Sequence, residues 1–323
     1  MKTFEEITSI ITNEISTFDW TKQPVGLYEP IGYALSLGGK RVRPALCLMA
    51  CNIFDETIEA AISPALGIEV FHNFTLLHDD IMDRADIRRG KPTVHIKWDE
   101  NTAILSGDAM QIFAYQLMTK CPTQHLQQVL DLFSTTAIEI CEGQQYDVEF
   151  ENRTDVSADE YLEMIRLKTA VLLACALKTG AIIGGANAKD ADLLYDFGIN
   201  IGLAFQLKDD LLDVYGNEAT FGKKIGGDIL CNKKTYLLIH AKKLATNNIA
   251  IELNTWLETN DKNEEKIEAV RNIYNQLGVQ SICEDKMEDY YKIASAKLDE
   301  MSVDLNKTQE LRKLASKLMG RKD

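Results

Sequence analysis

The stretch Leu76-Leu77-His78-Asp79-Asp80-Ile81-Met82-Asp83 decides the fold, because it sets three aspartates at the end of an apolar helical pattern. Upstream, Ala65, Leu66, Ile68, Val70 and Phe71 recur at helical spacing, so one helix is predicted to run into the acidic cluster. The first and last aspartates of such an Asp-Asp-x-x-Asp run are one turn apart and roughly 40° from each other around the axis, so both carboxylates project from one face. Like charges there repel, and carboxylates on a core helix carry a desolvation penalty unless a cation lies between them. Oxygen ligands without His or Cys point to Mg²⁺, which takes a few carboxylates and leaves positions for water and substrate phosphate oxygens. Gln206-Leu207-Lys208-Asp209-Asp210-Leu211-Leu212-Asp213 repeats the pattern. One such run alone reads equally well as a solvated acidic face, whereas two in one chain favour a divalent-metal site. The candidate metal residues are therefore Asp79, Asp80, Asp83, Asp209, Asp210 and Asp213; neither run has the spacing of an EF-hand.

Outside these runs apolar residues keep mostly to three- and four-residue spacing, as in Tyr161, Leu162, Ile165, Leu172 and Leu173, so helix dominates. The six prolines, Pro24, Pro30, Pro44, Pro64, Pro92 and Pro122, are placed in loops or first helical turns. Ile182-Ile183-Gly184-Gly185-Ala186-Asn187 reads as a helix end, and the charged stretch from Glu258 to Lys266 as a solvated connection between helices. No repeat, low-complexity tract or Pro-, Gly- or Ser-rich linker interrupts the chain, so 1–323 is predicted to be a single all-α domain. The 46% apolar content allows a substantial core. A balance of 35 basic against 49 acidic residues argues against a nucleic-acid backbone or an anionic membrane surface as main partner. The seven cysteines form no C-x-x-C pair or disulfide framework, which predicts a reducing, cytoplasmic setting. The acidic N-terminal segment lacks the features of a signal peptide, and no uninterrupted apolar stretch is expected to span a bilayer.

An acidic protein that holds anions needs local exceptions. Gly38-Gly39-Lys40-Arg41-Val42-Arg43-Pro44 reads as a turn into a helix whose free N–H groups favour an anion, with Lys40 and Arg43 adding charge. Arg88 and Arg89 follow the first acidic helix, where they can fold back over metal-bound phosphate. After the second cluster, Phe221-Gly222-Lys223-Lys224-Ile225-Gly226-Gly227-Asp228 supplies two lysines between glycines, without the full P-loop pattern. His72 lies two turns before Asp79 and about 20° around the helix, although a lone His on an apolar helix is usually a core residue.

GGKRVRP, HDDIMDRADIRRGKPTVH, EGQ at Glu142 to Gln144, LKTA at Leu167 to Ala170, FQLKDDLLD and GKKIGGD together resemble the trans-isoprenyl diphosphate synthases, in that family's order, from about residue 30 to 240. The last 80 or so residues resemble the family only as generic helices. The resemblance implies an all-α homodimer of the isoprenoid synthase fold, a helical bundle around a central active-site cavity. It makes Asp79, Asp83 and Asp209 direct ligands of Mg²⁺, usually three ions, with Asp80, Asp210 and Asp213 in support. Arg88, Lys168, Lys223 and Lys233 would hold the allylic diphosphate, with Lys224 as a substitute for Lys223. Lys40, Arg43, His72 and Arg89 would hold isopentenyl diphosphate. Lys168, Thr169 and Gln206 match the family's positions beside the allylic cation.

The same resemblance places chain-length control on the helix of the first cluster. Phe74 and Thr75, five and four residues before Asp79, and Phe71 one turn deeper, imply a short product, geranylgeranyl or farnesyl diphosphate. A class I terpene cyclase is a rival reading, as is a non-catalytic subunit of a heteromeric synthase. The second Asp-Asp-x-x-Asp run argues against the first, and the full set of aspartates and basic residues against the second.

Overall fold

The computed structural model describes residues 1–217, 225–259 and 263–320. The first helices are α1 (Phe4–Ser16), α2 (Val25–Ser36), α3 (Val42–Phe54) and α4 (Glu59–Met82). A two-residue antiparallel ladder, β1 (Ile87–Arg88) with β2 (Lys91–Pro92), separates them from α5 (Val94–Lys97), α6 (Glu100–Met118), α7 (Leu126–Asn152) and α8 (Ala158–Ile165). There follow α9 (Val171–Ile183), α10 (Ala188–Tyr215), α11 (Gly227–Leu230), α12 (Tyr236–Leu244), α13 (Asn247–Glu258), α14 (Glu264–Leu277), α15 (Val279–Asp299) and α16 (Gln309–Leu318). The protein is all-α, as its periodicity predicts.

Local chemistry sets many of the boundaries. Thr3 with Glu6 and Ser157 with Glu160 form capping boxes at the starts of α1 and α8, while Asp99, Thr235 and Asn263 cap α6, α12 and α14. Helix α9 stops at Ile183, and Gly185 turns left-handed at φ +85° behind it. Two prolines depart from expectation, since Pro30 and Pro64 each lie inside a helix, at its sixth residue. The carbonyls that lose a partner there belong to Gly26 and Ala60, both exposed, so water satisfies them. The stretch from Glu258 to Lys266 also differs: Lys266 is buried, its ammonium donating to the Thr259 carbonyl just past α13.

The contacts divide the chain into two units, one of Met1–Thr135, Cys175–Tyr195 and Met301–Leu314, and one of the remaining described residues. In the first, α3 is buried from Pro44 to Ile53 and packs on α1 and α4. Helix α4 is long and apolar enough to cross a membrane by length and composition, but Glu69 interrupts its apolar run and 61% of that window is buried inside the protein, which makes it a core helix. Against α3 lie Gly180 of α9 and Gly184 just past its end. A Cβ at Gly180 would sit 1.9 Å from the Cys47 carbonyl oxygen, and one at Gly184 2.7 Å from that of Cys51, so the two backbones meet without side chains between them. The second unit has its own core, in which Leu207, Leu237, Leu253, Val270, Ile273, Tyr274 and Cys283 are among the buried side chains.

Because neither backbone can retreat without disturbing a fully buried helix, Gly180→Ala is expected to destabilise the protein by about 1–3 kcal/mol. Urea unfolding followed by circular dichroism measures it; a midpoint unchanged from the parent would show that α9 yields freely.

Candidate active site

In the first unit the loop before α3 brings arginines together. Gly38 and Gly39 have φ of +78° and +138°, and Arg41, the N-cap of α3, is left-handed at +50°. The φ of Gly39 favours glycine there, and a Cβ would lie 2.8 Å from the Arg89 guanidinium, which donates to the Gly38 carbonyl. Arg41 is buried; it donates to Glu69 Oε1 at 2.5 Å and to the Leu35 carbonyl at 2.8 Å, while Asn73 donates to the same Glu69 oxygen at 3.0 Å. The loop is thereby pinned to α4 by a hydrogen-bonded buried ion pair.

Beside that pair, Arg43 Nη1 lies 3.1 Å from His72 Nε2. A guanidinium only donates, so Nε2 accepts and the ring proton belongs on Nδ1. Burial, then the charges of Arg43, Arg89, Arg88 and Arg41, push His72 well below its ordinary range and keep it neutral at pH 7. Burial also brings Arg43 down to about 10, opposed by the Glu69 carboxylate. The Nε of Arg43 is buried with no hydrogen-bond partner among the described residues. A buried, unused donor among clustered guanidiniums is an arrangement that accepts an anion. Lys40 is exposed at the rim of the same loop.

Helix α4 ends in the first acidic run. Asp80 is buried and receives Arg88 of β1 as a fork, with Nε 2.8 and 2.9 Å from the two carboxylate oxygens and Nη2 at 2.7 Å. Asp79 is partly buried, and Asp83, the C-cap, is exposed. The hairpin that carries Arg88 is held by Tyr33, whose hydroxyl donates to the Pro92 carbonyl at 2.7 Å. One to two turns earlier on α4, the Phe74 ring centroid lies 5.3 Å from Phe71 and 4.8 Å from His78. Phe71 in turn packs at 5.1 Å on Phe133, and Thr75 donates to the His72 carbonyl at 2.8 Å.

The second unit builds a separate group. Lys168 and Thr169 occupy a five-residue π-helical turn, Arg166–Ala170, between α8 and α9. Lys168 Nζ lies 2.5 Å from Asp147 Oδ2 on α7, and Thr169 Oγ1 lies 3.4 Å from Gln206 Oε1. On α10, Asp210 is buried; Tyr161 donates to its Oδ2, and Gln206 Nε2 lies 3.5 Å from its Oδ1. Burial and then the charge of Asp228 push the Asp210 carboxyl up to about 7, against the lowering effect of Tyr161, Lys233 and Gln206. Asp213 is nearly buried and accepts from the Asp228 N–H at 3.0 Å, which turns the chain back onto α10. Asp209 is partly buried and Lys233 exposed. Lys223 and Lys224 lie outside the described residues.

Among the described residues no three His, Cys, Asp or Glu side chains form a finished metal cage. Mg²⁺ does not need one, because it is commonly held by one or two carboxylates plus water and substrate phosphates. The donors here are oxygens alone, and a divalent cation beside Asp210 and Asp213 would relieve the burial and repulsion that raise Asp210. The residues fit the ion. Sequence reading missed Arg41, Glu69, Asn73, Asp147 and Tyr161. Glu69 left one signal, a carboxylate on an otherwise apolar helix three residues before His72. Tyr161 left none.

An all-helical protein with two oxygen-only acidic runs, each beside basic side chains, is of the class that handles diphosphate esters with divalent metal. The chain belongs to the polyprenyl synthetase family, whose sequence pattern it matches over residues 24–276, and it is a prenyltransferase. Members of that family are typically Mg²⁺-dependent. The chain is 43% identical over 221 residues to the geranylgeranyl diphosphate synthase of Methanosarcina mazei, 68% of each chain. It is 42% identical over 251 residues to the geranylfarnesyl diphosphate synthase of Natronomonas pharaonis, 72% of this chain and 74% of the relative. A crystal structure of a geranylgeranyl pyrophosphate synthase matches with a TM-score of 0.95 at 47% identity over the whole of both chains.

Removing one member of the Arg41–Glu69 pair leaves a buried charge without its partner. Glu69→Ala is expected to cost about 3–5 kcal/mol of stability. Denaturant melts test this, and a loss below about 1 kcal/mol, typical of an exposed pair, would contradict it.

Proposed function

We propose that this chain condenses isopentenyl diphosphate head to tail with an allylic diphosphate to make a short-chain trans-prenyl diphosphate, geranylgeranyl diphosphate first among them. One observation carries this reading. Along helix α4, His72, which meets Arg43 of α3, and the Asp79–Asp83 run are about 10 Å apart, which provides two anion-handling stations rather than one. A cyclase consumes a single diphosphate and needs only the metal station; a condensing enzyme needs both.

In this reading Asp79, Asp83 and Asp209 ligate Mg²⁺, three ions per site, with Asp80, Asp210 and Asp213 behind them. The ions supply Lewis-acid stabilisation of the departing diphosphate. Arg88, Lys168 and Lys233, with Lys223 or Lys224, hold the allylic diphosphate. Lys40, Arg43, His72 and Arg89 hold isopentenyl diphosphate with its double bond toward the allylic carbon. As the C1–O bond of the allylic ester breaks, Lys168, Thr169 and Gln206 turn dipoles toward the cation and offer it no nucleophile. A C–C bond forms from the isopentenyl double bond, and the proton lost to the released diphosphate leaves the new trans double bond. Water is kept away, since it would capture the cation.

The aromatic contacts of Phe74 with Phe71, and of Phe71 with Phe133, support a blocked product channel. The exposed Ile104, Leu105 and Ile112 share one side of α6 and support pairing with a second copy as a homodimer. We further propose that 1–323 acts as one domain, in the cytoplasm.

Purified protein incubated with isopentenyl diphosphate and each allylic starter is expected to condense them only when Mg²⁺ is present. Failure with every pair would refute the assignment. Chromatography of the dephosphorylated products distinguishes 15, 20 and 25 carbons. Phe74→Ala is expected to lengthen the main product by at least one five-carbon unit, and an unchanged product profile would remove Phe74 from chain-length control.

A further inference from the structure

Helix α7 meets the π-turn Arg166–Ala170 along one stripe of residues spaced by four. Glu139 pairs with Arg166 at 3.3 Å, Gly143 touches the backbone of the turn, and Asp147 pairs with Lys168 at 2.5 Å. A Cβ at Gly143 would lie 2.3 Å from the Lys168 amide nitrogen and 2.8 Å from the Leu167 carbonyl carbon, so the missing side chain sets how close the helix comes. The spacing of four keeps all three on one face of α7. The turn therefore sits between two ion pairs and rests on a glycine.

Asp147 differs from Glu139 in serving two cations. Against burial, which works to raise it, the charges of Lys233 and then Lys168 hold its carboxyl below the ordinary carboxylate range. Lys233 comes from a different element, the segment after α11, and its charge also acts on Asp210. One carboxylate thus contacts one flexible ammonium group and feels the charge of a second, two like charges that would otherwise repel.

We propose that Asp147 is a positioning residue for the allylic diphosphate: its carboxylate orients Lys168 and draws in Lys233, so that both ammonium groups are gathered before the substrate arrives. This rests on the role given to the two lysines under the proposed function. The carboxylate takes no part in bond making. Its effect is preorganisation, because two long side chains that are already ordered lose less freedom on binding.

The test uses the full chain with Asp147→Asn, which keeps shape and one acceptor oxygen but removes the charge, and Asp147→Glu, which restores the charge one methylene further out. Steady-state kinetics vary each diphosphate in turn, calorimetry titrates inorganic pyrophosphate with Mg²⁺, and a thermal melt follows folding. Asp147→Asn is expected to raise KM for the allylic diphosphate and the pyrophosphate Kd about tenfold, the scale of one lost charge-assisted hydrogen bond. KM for isopentenyl diphosphate should stay within about twofold, the melt should be little changed, and Asp147→Glu should recover part of the loss. The inference is overturned if Asp147→Asn leaves the allylic KM and the pyrophosphate Kd within about twofold of the parent. It is equally overturned if both substrates weaken together with a lowered melt, which would make Asp147 a purely structural strut. A parent protein that condenses nothing would instead sink the proposed function, and the pyrophosphate titration would still decide the role of Asp147.

Discussion

A charge removed from water must be met by an opposite charge or a hydrogen bond, and in this protein that requirement reaches into the backbone. Arg41 is buried against Glu69, so the loop before α3 must bend left-handed to deliver it. That bend places Arg43 in the first turn of α3 and against His72. Asp80 is buried against Arg88, and the two-residue ladder exists at the spot where the chain must double back to bring that arginine to the helix it has just left. Asp210 meets Tyr161 and Gln206, and Asp147 meets Lys168. The helices supply the frame, while the pairing of buried charge dictates the irregular segments between them.

A division of labour follows. Some carboxylates are spent inside the protein: Glu69 is matched by Arg41, and Asp147 by Lys168 together with the charge of Lys233. Others, such as Asp79 and Asp83, lie toward the surface at the end of α4. The same split holds for the arginines: Arg41 is consumed by the fold, whereas Arg43 keeps a buried Nε without a partner among the described residues. Charges matched within the protein fix the backbone that carries the others.

What the sequence made legible was whatever repeats. Helical periodicity announced α4 and α10, and two copies of one acidic spacing singled out the candidate metal residues, because both signals are carried by several residues at once. The glycine pair and Gly185 were legible for a different reason: glycine is the residue for a left-handed turn. The irregular features were silent. Nothing in Arg166–Ala170 distinguishes a π-turn from ordinary helix, since one extra residue in a turn changes no apolar pattern. Glu69 and Asp147 were single acidic residues on helices rich in them or flanked by apolar neighbours, and only the partner across space gives either one meaning. Pro30 and Pro64 misled because the penalty for a helical proline depends on whether the abandoned carbonyl reaches water, which is a property of the fold. The charged stretch ending at Lys266 misled in the same manner, as a long aliphatic stem can be buried when its head finds a carbonyl.

The neutrality of His72 also bears on stability. A ring kept unprotonated in the native state, by burial and four neighbouring guanidiniums, takes up its proton readily once the chain unfolds, near the ordinary histidine pKa of about 6.5. Above that value neither state is protonated there and acidity is without effect. Below it the unfolded chain binds a proton that the native ring refuses, and the balance tips toward unfolding by up to about 1.4 kcal/mol for each further unit of pH, until the depressed native pKa is reached. The cluster of His72 with its neighbouring arginines is thereby a point of acid weakness, and tolerance of acid in this protein is bounded by the same guanidiniums that keep the ring neutral.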